Sequence, residues 1–121
     1  IKSIFRSIDC VDPFNPKVIR AAMGAHFYFS HFEKIKDYSI LNKLNEIDVE
    51  IYGADITGKS INTIDTTNIG SWCLILGNES HGISSSAKKF VKTSITIPGV
   101  NNMESLNVSI ANGIILNILT A

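Results

Sequence analysis

Residues 97–113 read IPGVNNMESLNVSIANG, a pattern that predicts a strand, a turn and a long apolar helix. Pro98 and Gly99 end the apolar run, which is typical of a chain that turns out of a strand. Ser105 and Asn107 stand where a helix N-terminus leaves amide groups without intrahelical partners and carries a positive dipole. Small polar side chains there either cap the helix or bind a ligand held against it. The stretch alone leaves both interpretations open.

The apolar run after these polar residues predicts a helix over residues 103–119 with a wide apolar surface. Apolar side chains recur at helical spacing and spread beyond a single stripe: Val108, Ala111, Ile115 and Ile118, with Ile110, Ile114 and Leu119 beside them. A helix that is apolar around most of its circumference is buried on several sides. In a chain this small, the pattern predicts a subunit interface along the helix.

A second polar loop follows another strand-like run, in LILGNESHGIS at residues 74–84. Its Gly-x-x-x-x-Gly spacing imitates a phosphate-binding loop, but Ile83 stands where that motif requires lysine, which excludes a nucleoside triphosphate site. Gly77 and Gly82 allow the backbone to approach a ligand closely, or they form a tight strand-to-helix turn. Glu79 could orient a ligand or accept a proton, and it could equally be a solvated or capping carboxylate.

The rest of the chain alternates between strand-like and helix-like segments. Strands are predicted over residues 1–11, 26–29, 48–55, 72–77 and 94–98. Helices are predicted over residues 16–25, 32–46 and 83–91, with residues 58–71 mostly loop. This alternation is typical of an α/β domain in which a mostly parallel sheet is flanked by helices. Ligands bind beyond the carboxyl ends of such strands, where both polar loops stand.

Composition restricts the classes of partner and site. The 121 residues are 45% hydrophobic and 18% charged, which indicates a single globular domain. Eleven basic residues balance eleven acidic ones, so there is no overall basic surface for nucleic acid, and any RNA would be held by a local patch or by something outside this chain. His26, His31 and His81 show no metal-ligand spacing, so no metal site is predicted.

The two cysteines, Cys10 and Cys73, have no neighbouring cysteine, which favours a reducing, cytoplasmic setting. Cys73 lies in the continuous apolar run of residues 72–77, which indicates a strand covered on both faces. No apolar run reaches the roughly 18 residues of a membrane span, and the first residues lack a signal-peptide pattern. A soluble protein is therefore expected.

Taken together, the two loops resemble a known pair of motifs. LILGNESHGIS followed by ITIPGVNNMESLNVSIANGI is similar to motifs 2 and 3 of the SpoU (TrmH-like) RNA ribose 2′-O-methyltransferases of the SPOUT superfamily. The segment VDPFNPKVIRAAMGAHF resembles the part of the family that follows motif 1. The resemblance covers essentially the whole chain. It implies a trefoil knot near the carboxyl terminus, S-adenosylmethionine as methyl donor, RNA (tRNA or rRNA) as acceptor, and a homodimer through the terminal helix.

The resemblance also implies roles for individual residues. Positions that match the cofactor-binding loops are Gly77, Asn78, Ile97, Met103 and Leu106. The family's most characteristic polar positions imply a catalytic group that organises the loops and the acceptor ribose: Glu79, Ser105 and Asn107. Arg20 matches an arginine expected on the RNA side. The implied reaction is in-line attack of a ribose 2′-oxygen on the donor methyl group, which needs alignment and a proton acceptor but no metal.

Two departures from the family pattern restrict this implication. Motif 1 resembles Asn-x-Gly-x-x-x-Arg, whose arginine is regarded as catalytic, and the sequence does not contain it; the family's additional RNA-binding domain is also missing. We therefore expect residues 1–121 to be a methyltransferase domain without its first β–α unit, which transfers little or no methyl by itself. The alternative is a non-catalytic SPOUT-like module that binds RNA or a protein. The missing Gly-x-Gly-x-x-Gly argues against a Rossmann-like nucleotide binder.

Overall fold

The computed structural model describes residues 1–99 and 105–121, and the chain forms two compact units, Ile1–Tyr38 and Ser39–Ala121. Strands and α-helices alternate along the described chain as β1 (Ser3–Arg6), α1 (Pro16–Ala22), β2 (His31–Lys34), α2 (Ser39–Glu46), β3 (Glu50–Ser60), β4 (Trp72–Ile75), α3 (Ser85–Lys88), β5 (Thr93–Thr96) and α4 (Val108–Leu119). Short 3₁₀ helices occupy Ala25–Tyr28 and Ile61–Thr63. Strand pairing is parallel in both units, which confirms the predicted α/β class.

In the first unit, β1 and β2 form a parallel pair in which Ser3 lies opposite His31. The crossover between the two strands contains α1. Asn15 begins this helix, because its side-chain oxygen accepts a hydrogen bond from the Lys17 amide at 2.9 Å. Met23, with a φ of 50°, ends the helix in the left-handed conformation. The predicted helix in this region is therefore confirmed.

Two other predictions near this unit are wrong. The strand predicted over residues 26–29 is a 3₁₀ helix, and the helix predicted over residues 32–46 is a strand, β2, and then a shorter helix, α2. His26 is buried among neighbouring aromatic rings, those of Phe14, Phe27 and Phe32. Aromatic residues are frequent in strands because they pack well, and the same rings can fill a local core around a turn. Aromatic composition therefore predicted the backbone conformation of this segment incorrectly, and only His26 of it is buried, since Phe27 and Tyr28 are 68% and 90% exposed.

In the second unit, β3 lies between β4 and β5 and pairs with both in parallel. Ile51 of β3 lies opposite Cys73 of β4 and is fully buried. The core joins the sheet to the terminal helix, since Ile95 of β5 packs in one cluster with Ile115 and Leu119 of α4. Because all three strands run in the same direction, the loops that follow β4 and β5 leave the sheet at the same edge.

Two strands of this sheet differ from the sequence prediction. β3 continues to Ser60 and so includes residues predicted to be loop. β4 is half-buried at each of its four positions rather than covered on both faces. Cys73 on this strand is half-buried, and burial raises the pKa of its thiol. It thus acts as a small apolar side chain.

The terminal helix begins at Val108 rather than at the predicted residue 103, and the described residues 105–107 precede it without helical structure. One face of the helix is buried against the sheet through Ile115 and Leu119. Ile110 and Ile114 on the helix remain 58% and 38% exposed. Burial on several sides is therefore not achieved within a single described chain. None of the helices in the described ranges is long and apolar enough to cross a bilayer.

Candidate functional site

The loops that follow β4 and β5 line one open cleft beyond the carboxyl ends of these strands. The cleft has a volume of about 1060 Å³. Residues 76–83 contribute to it from the first loop, and residues 96–99 and 105–108 from the second. Residues 54–57 in the middle of β3 also line the cleft, as do Lys88, Ile95, Ala111 and Ile115. The parallel sheet thus brings together the two loops that carry the predicted site.

The loop after β4 is a tight turn closed by its own backbone. The Asn78 amide donates to the Gly82 carbonyl at 3.0 Å, and the Gly82 amide donates to the Asn78 carbonyl at 2.8 Å. Gly82 has a φ of +66°, which disfavours other residues there. A Cβ atom on Gly77 would lie 2.2 Å from the carbonyl carbon of Gly82. Both glycines therefore serve the turn itself, and the close approach at Gly77 is to the loop's own backbone.

One side chain of this loop stabilises the turn, and two others are exposed to solvent. Asn78 accepts a hydrogen bond from the Ser80 amide at 2.8 Å through Oδ1, so its side chain stabilises the turn. Glu79 and His81 are exposed and line the cleft. The turn geometry therefore accounts for Asn78 without a ligand. The carboxylate of Glu79 remains available to one.

The second loop leads into α4 through the residues Ser105, Leu106 and Asn107. Asn107 is the N-cap of α4, because its Oδ1 accepts a hydrogen bond from the Ser109 amide at 2.9 Å. The capping interpretation is thus confirmed for Asn107. Ser105 is exposed, Leu106 is 43% exposed, and both line the cleft. Asn107 therefore caps the helix, and all three residues border the ligand space.

Most of the predicted site residues come together at this cleft. Seven of them line it: Gly77, Asn78, Glu79, Ile97, Ser105, Leu106 and Asn107. Met103 lies outside the described residues. Arg20 is exposed in the last turn of α1, within the other compact unit. The described members of the predicted cofactor-binding and catalytic groups are thus neighbours in space.

Sequence reasoning missed an ion pair in the lining of the cleft. Lys88 of α3 donates from Nζ to Oδ2 of Asp55 at 2.7 Å. The side chain of Asp55 is 15% exposed and that of Lys88 is 53% exposed. Oδ1 of Asp55 accepts hydrogen bonds from the Thr57 amide at 2.9 Å and the Thr57 hydroxyl at 2.8 Å. Lys88 first, and then these Thr57 donors, lower the pKa of Asp55 from its usual 3.8 to about 2.

Part of this arrangement has a signal in the sequence. The pattern Asp-x-Thr occurs at Asp55 and again at Asp65, where Oδ1 accepts from the Thr67 amide at 2.9 Å and from its hydroxyl at 2.6 Å. Asp followed two residues later by a hydrogen-bond donor is a known turn pattern. The pattern could therefore have located both turns. It could not have indicated that Lys88 contacts one of them.

The lining of the cleft suits a mid-sized organic ligand. Ile97, Leu106 and Val108 supply apolar surface, while Glu79 supplies an exposed carboxylate and Lys88 is paired with Asp55. Small-molecule sites typically combine a mostly apolar lining with a few polar groups. Within residues 1–99 and 105–121, no group of three or more His, Cys, Asp and Glu side chains could hold a metal ion. The lining thus combines apolar surface with a few charged and polar groups, as small-molecule sites do.

Comparison with known proteins agrees with this geometry. The sequence profile of the SpoU rRNA Methylase family matches residues 2–117. An uncharacterized tRNA/rRNA methyltransferase of Borreliella burgdorferi is 34% identical over 102 residues, which cover 84% of this chain and 44% of that protein. The 23S rRNA (guanosine(2553)-2′-O)-methyltransferase RlmP of Bacillus subtilis is 29% identical over 106 residues, covering 87% of this chain and 42% of that protein. The chain thus spans less than half the length of these relatives.

Solved structures have the same fold. A TrmH-family RNA methyltransferase from Porphyromonas gingivalis superposes with a TM-score of 0.86 at 29% identity, over 98% of this chain and 48% of that one. AviRb, a SpoU methyltransferase of Streptomyces viridochromogenes in complex with the cofactor AdoMet, superposes with a TM-score of 0.84 at 20% identity, over 97% of this chain and 48% of that one. The profile match extends over nearly the whole sequence, and the fold agrees with it. The chain belongs to the SpoU rRNA methylase family.

Proposed function

We propose that this chain is the S-adenosylmethionine-binding part of an RNA ribose 2′-O-methyltransferase that acts on tRNA or rRNA. The observation that carries the proposal is the meeting of the two polar loops at one cleft beyond β4 and β5. Membership of the SpoU family supports it, and so does the assignment of the relative RlmP as a 2′-O-methyltransferase. AviRb, of the same fold, forms a complex with AdoMet.

The lining residues fit such a cofactor. Ile97 and Leu106 offer apolar surface for its adenine ring, and Gly77 and Asn78 line the same cleft as part of the closed turn. Met103, outside the described residues, belongs to the same proposed pocket. When bound, S-adenosylmethionine supplies an activated methyl group.

The residues proposed for the acceptor side are Glu79, Ser105 and Asn107. Glu79 is the exposed carboxylate of the first loop, so it can orient the ribose or accept the proton that leaves the 2′-hydroxyl. Ser105 is an exposed hydroxyl that can hold the ribose beside the cleft. Asn107 fixes the start of α4 and thereby the position of the loop. Alignment of the 2′-oxygen with the methyl group is the main contribution expected of these residues.

The proposal includes an assembly and a topology. The exposed apolar side chains of α4, Ile110 and Ile114, would be covered by a second copy of the chain in a homodimer. A trefoil knot would involve the chain between β5 and α4, part of which lies outside the described residues. Arg20, exposed on α1, would contact RNA. The free thiols of Cys10 and Cys73 suit a reducing compartment, and we place the protein in the cytoplasm.

Calorimetry with the full-length gene product that contains this chain tests the proposal. Titration with S-adenosylmethionine should give saturable binding. Incubation with total tRNA or rRNA should then transfer methyl groups to the RNA. The phosphodiester bond next to each methylated ribose should resist alkaline cleavage, because its 2′-oxygen is blocked. Absence of binding would overturn the proposal. Binding of RNA without cofactor binding or methyl transfer would instead establish the alternative, a non-catalytic module of the same fold.

A further inference from the structure

The central strand β3 pairs twice with one residue of β5. Ala54 and Lys59 both lie opposite Ile95, and the register shifts between them. Residues 55–58 are therefore looped out of the ladder, and we call them the arch. Three of the four arch residues, Asp55, Ile56 and Thr57, line the cleft. The arch thus contributes to the ligand site from a strand that sequence reasoning did not connect with it.

Packing and hydrogen bonds fix the shape of the arch. A Cβ atom on Gly58 would lie 2.5 Å from the amide nitrogen of Ile95, so the arch ends directly against the backbone of β5. At the other end, Asp55 binds both donors of Thr57 through one carboxylate oxygen. The remaining carboxylate oxygen accepts the hydrogen bond from Lys88 at 2.7 Å. Of these restraints, the contact with Lys88 is the one that joins the arch to α3.

The tip of the arch is apolar and exposed to solvent. Ile56 is 75% exposed although it lines the cleft. An apolar side chain on the lining gains free energy when a ligand excludes water from it. If the arch were mobile, part of that gain would be lost, because ordering a mobile segment on binding costs free energy. The position of the arch therefore affects affinity even where its anchoring residues do not touch the ligand.

We propose that Asp55 and Lys88 are positioning residues of the ligand cleft, whose ion pair holds the arch against α3 and thereby raises the affinity for the bound small molecule. For the identity of that molecule the proposal rests on the proposed function, which makes it S-adenosylmethionine. Lys88 is half-exposed, so the pair is sensitive to ionic strength. Affinity for the ligand should share that sensitivity.

The test measures binding of S-adenosylhomocysteine by calorimetry to the full chain and its variants. Lys88→Met keeps most of the side-chain volume and removes the charge, and it should weaken binding about two- to fivefold at low salt, the range expected for an exposed ion pair. The loss should vanish near about 1 M salt, where such pairs are screened. Lys88→Arg should bind like the wild type. Lys89→Met, at the exposed neighbouring lysine, is the matched control and should bind normally.

A ligand-free measurement separates this proposal from the proposed function. In hydrogen exchange, the amides of residues 56–58 should exchange about two- to fivefold faster in Lys88→Met than in the wild type or Lys89→Met. Unchanged exchange at the arch would overturn the positioning role, as would a binding loss that persists at high salt or appears equally in Lys89→Met. If the wild type binds no S-adenosylhomocysteine, the proposed function fails, and the exchange result still decides whether Lys88 holds the arch.

Discussion

Gly77 and Gly82 lie in such close contact that a single added methyl group on Gly77 would reach within 2.2 Å of the Gly82 carbonyl carbon. Because the obstacle is backbone, no side-chain rotation can relieve it. Gly77→Ala should therefore lower the free energy of unfolding by about 1–3 kcal/mol, as overpacking does. It should also abolish cofactor binding, since the loop must open. Urea unfolding and calorimetry measure both effects.

Gly70→Ala is the matched control for that substitution, because nothing lies within 4 Å of the added Cβ and no positive φ is required. It should leave both stability and binding close to those of the wild type. A Gly77→Ala variant with wild-type affinity would contradict the structure of the loop, since the turn could then form without the glycine contact.

Asn107 has two assigned roles that substitution can separate. Asn107→Ala removes the N-cap of α4 and should cost about 1 kcal/mol of stability. Asn107→Asp keeps an acceptor for the Ser109 amide, so its stability should be close to that of the wild type. If the amide also organises the acceptor ribose, methyl transfer should fall in both variants. Thermal unfolding and transfer assays on the full-length protein measure the two roles.

Asn15 provides the comparison, since it caps α1 with the same geometry, its Oδ1 accepting from the Lys17 amide at 2.9 Å. Asn15→Ala should lose similar stability, about 1 kcal/mol, without a specific loss of cofactor binding. Full activity of Asn107→Asp would show that Asn107 acts only as a cap.

The stability of the second unit should depend on pH through Asp55. Its pKa is about 2 in the folded chain against its usual 3.8, chiefly because of Lys88 and then of Thr57. Between these values the unfolded chain binds more protons, so the contribution is present above about pH 4 and is lost as the pH falls towards 2. Since the pair is partly solvated, the loss should be on the order of 1 kcal/mol.

Urea unfolding of the wild type and Asp55→Asn across this range measures the effect. The wild type should be the more stable protein at about pH 5, and the difference should shrink as the solution is acidified. Two stability curves that remain parallel down to the lowest pH would mean that the ion pair contributes nothing to folding.

The proposed dimer depends on the exposed apolar residues of α4. Ile110→Asp should raise the dimer dissociation constant by at least about tenfold, because a charge would be buried in the interface. The substitution lies in the first turn of the helix, where an acidic residue favours helix formation, so folding should be retained. Sedimentation velocity measures the change.

Ile47→Asp is a control at a similarly exposed isoleucine, 67% exposed and outside α4. It should leave the oligomeric state unchanged. A wild-type chain that sediments as a monomer at all concentrations would contradict the proposed assembly through α4.

Local chemistry explains which features were predictable. The turn at Gly77 and the caps at Asn15 and Asn107 depend on residues two to five positions apart, and their patterns are visible in the printed sequence. The meeting of the two loops was predictable as well, because a parallel sheet places the carboxyl ends of its strands along one edge. The alternation of strands and helices was sufficient for that conclusion.

Long-range contacts explain what was missed. Lys88 and Asp55 are 33 residues apart, and no sequence motif contains both of them. The arch depends on a register shift opposite Ile95, which no periodicity within β3 reveals. The aromatic residues around His26 indicated a strand because their packing partners, which decide the backbone conformation, are contributed by other segments.

The order of the sheet has a consequence for synthesis of the protein. Both neighbours of β3 follow it in the chain, and the whole of β4 and α3 separates Tyr52 from its partner Thr93. During translation the central strand therefore emerges from the ribosome with two unpaired edges, and neither can be satisfied until later residues appear. Non-local parallel pairing of this kind is slow, and apolar strands remain exposed until their partners have been synthesised. The nascent chain should accordingly depend on chaperones until β5 has been made.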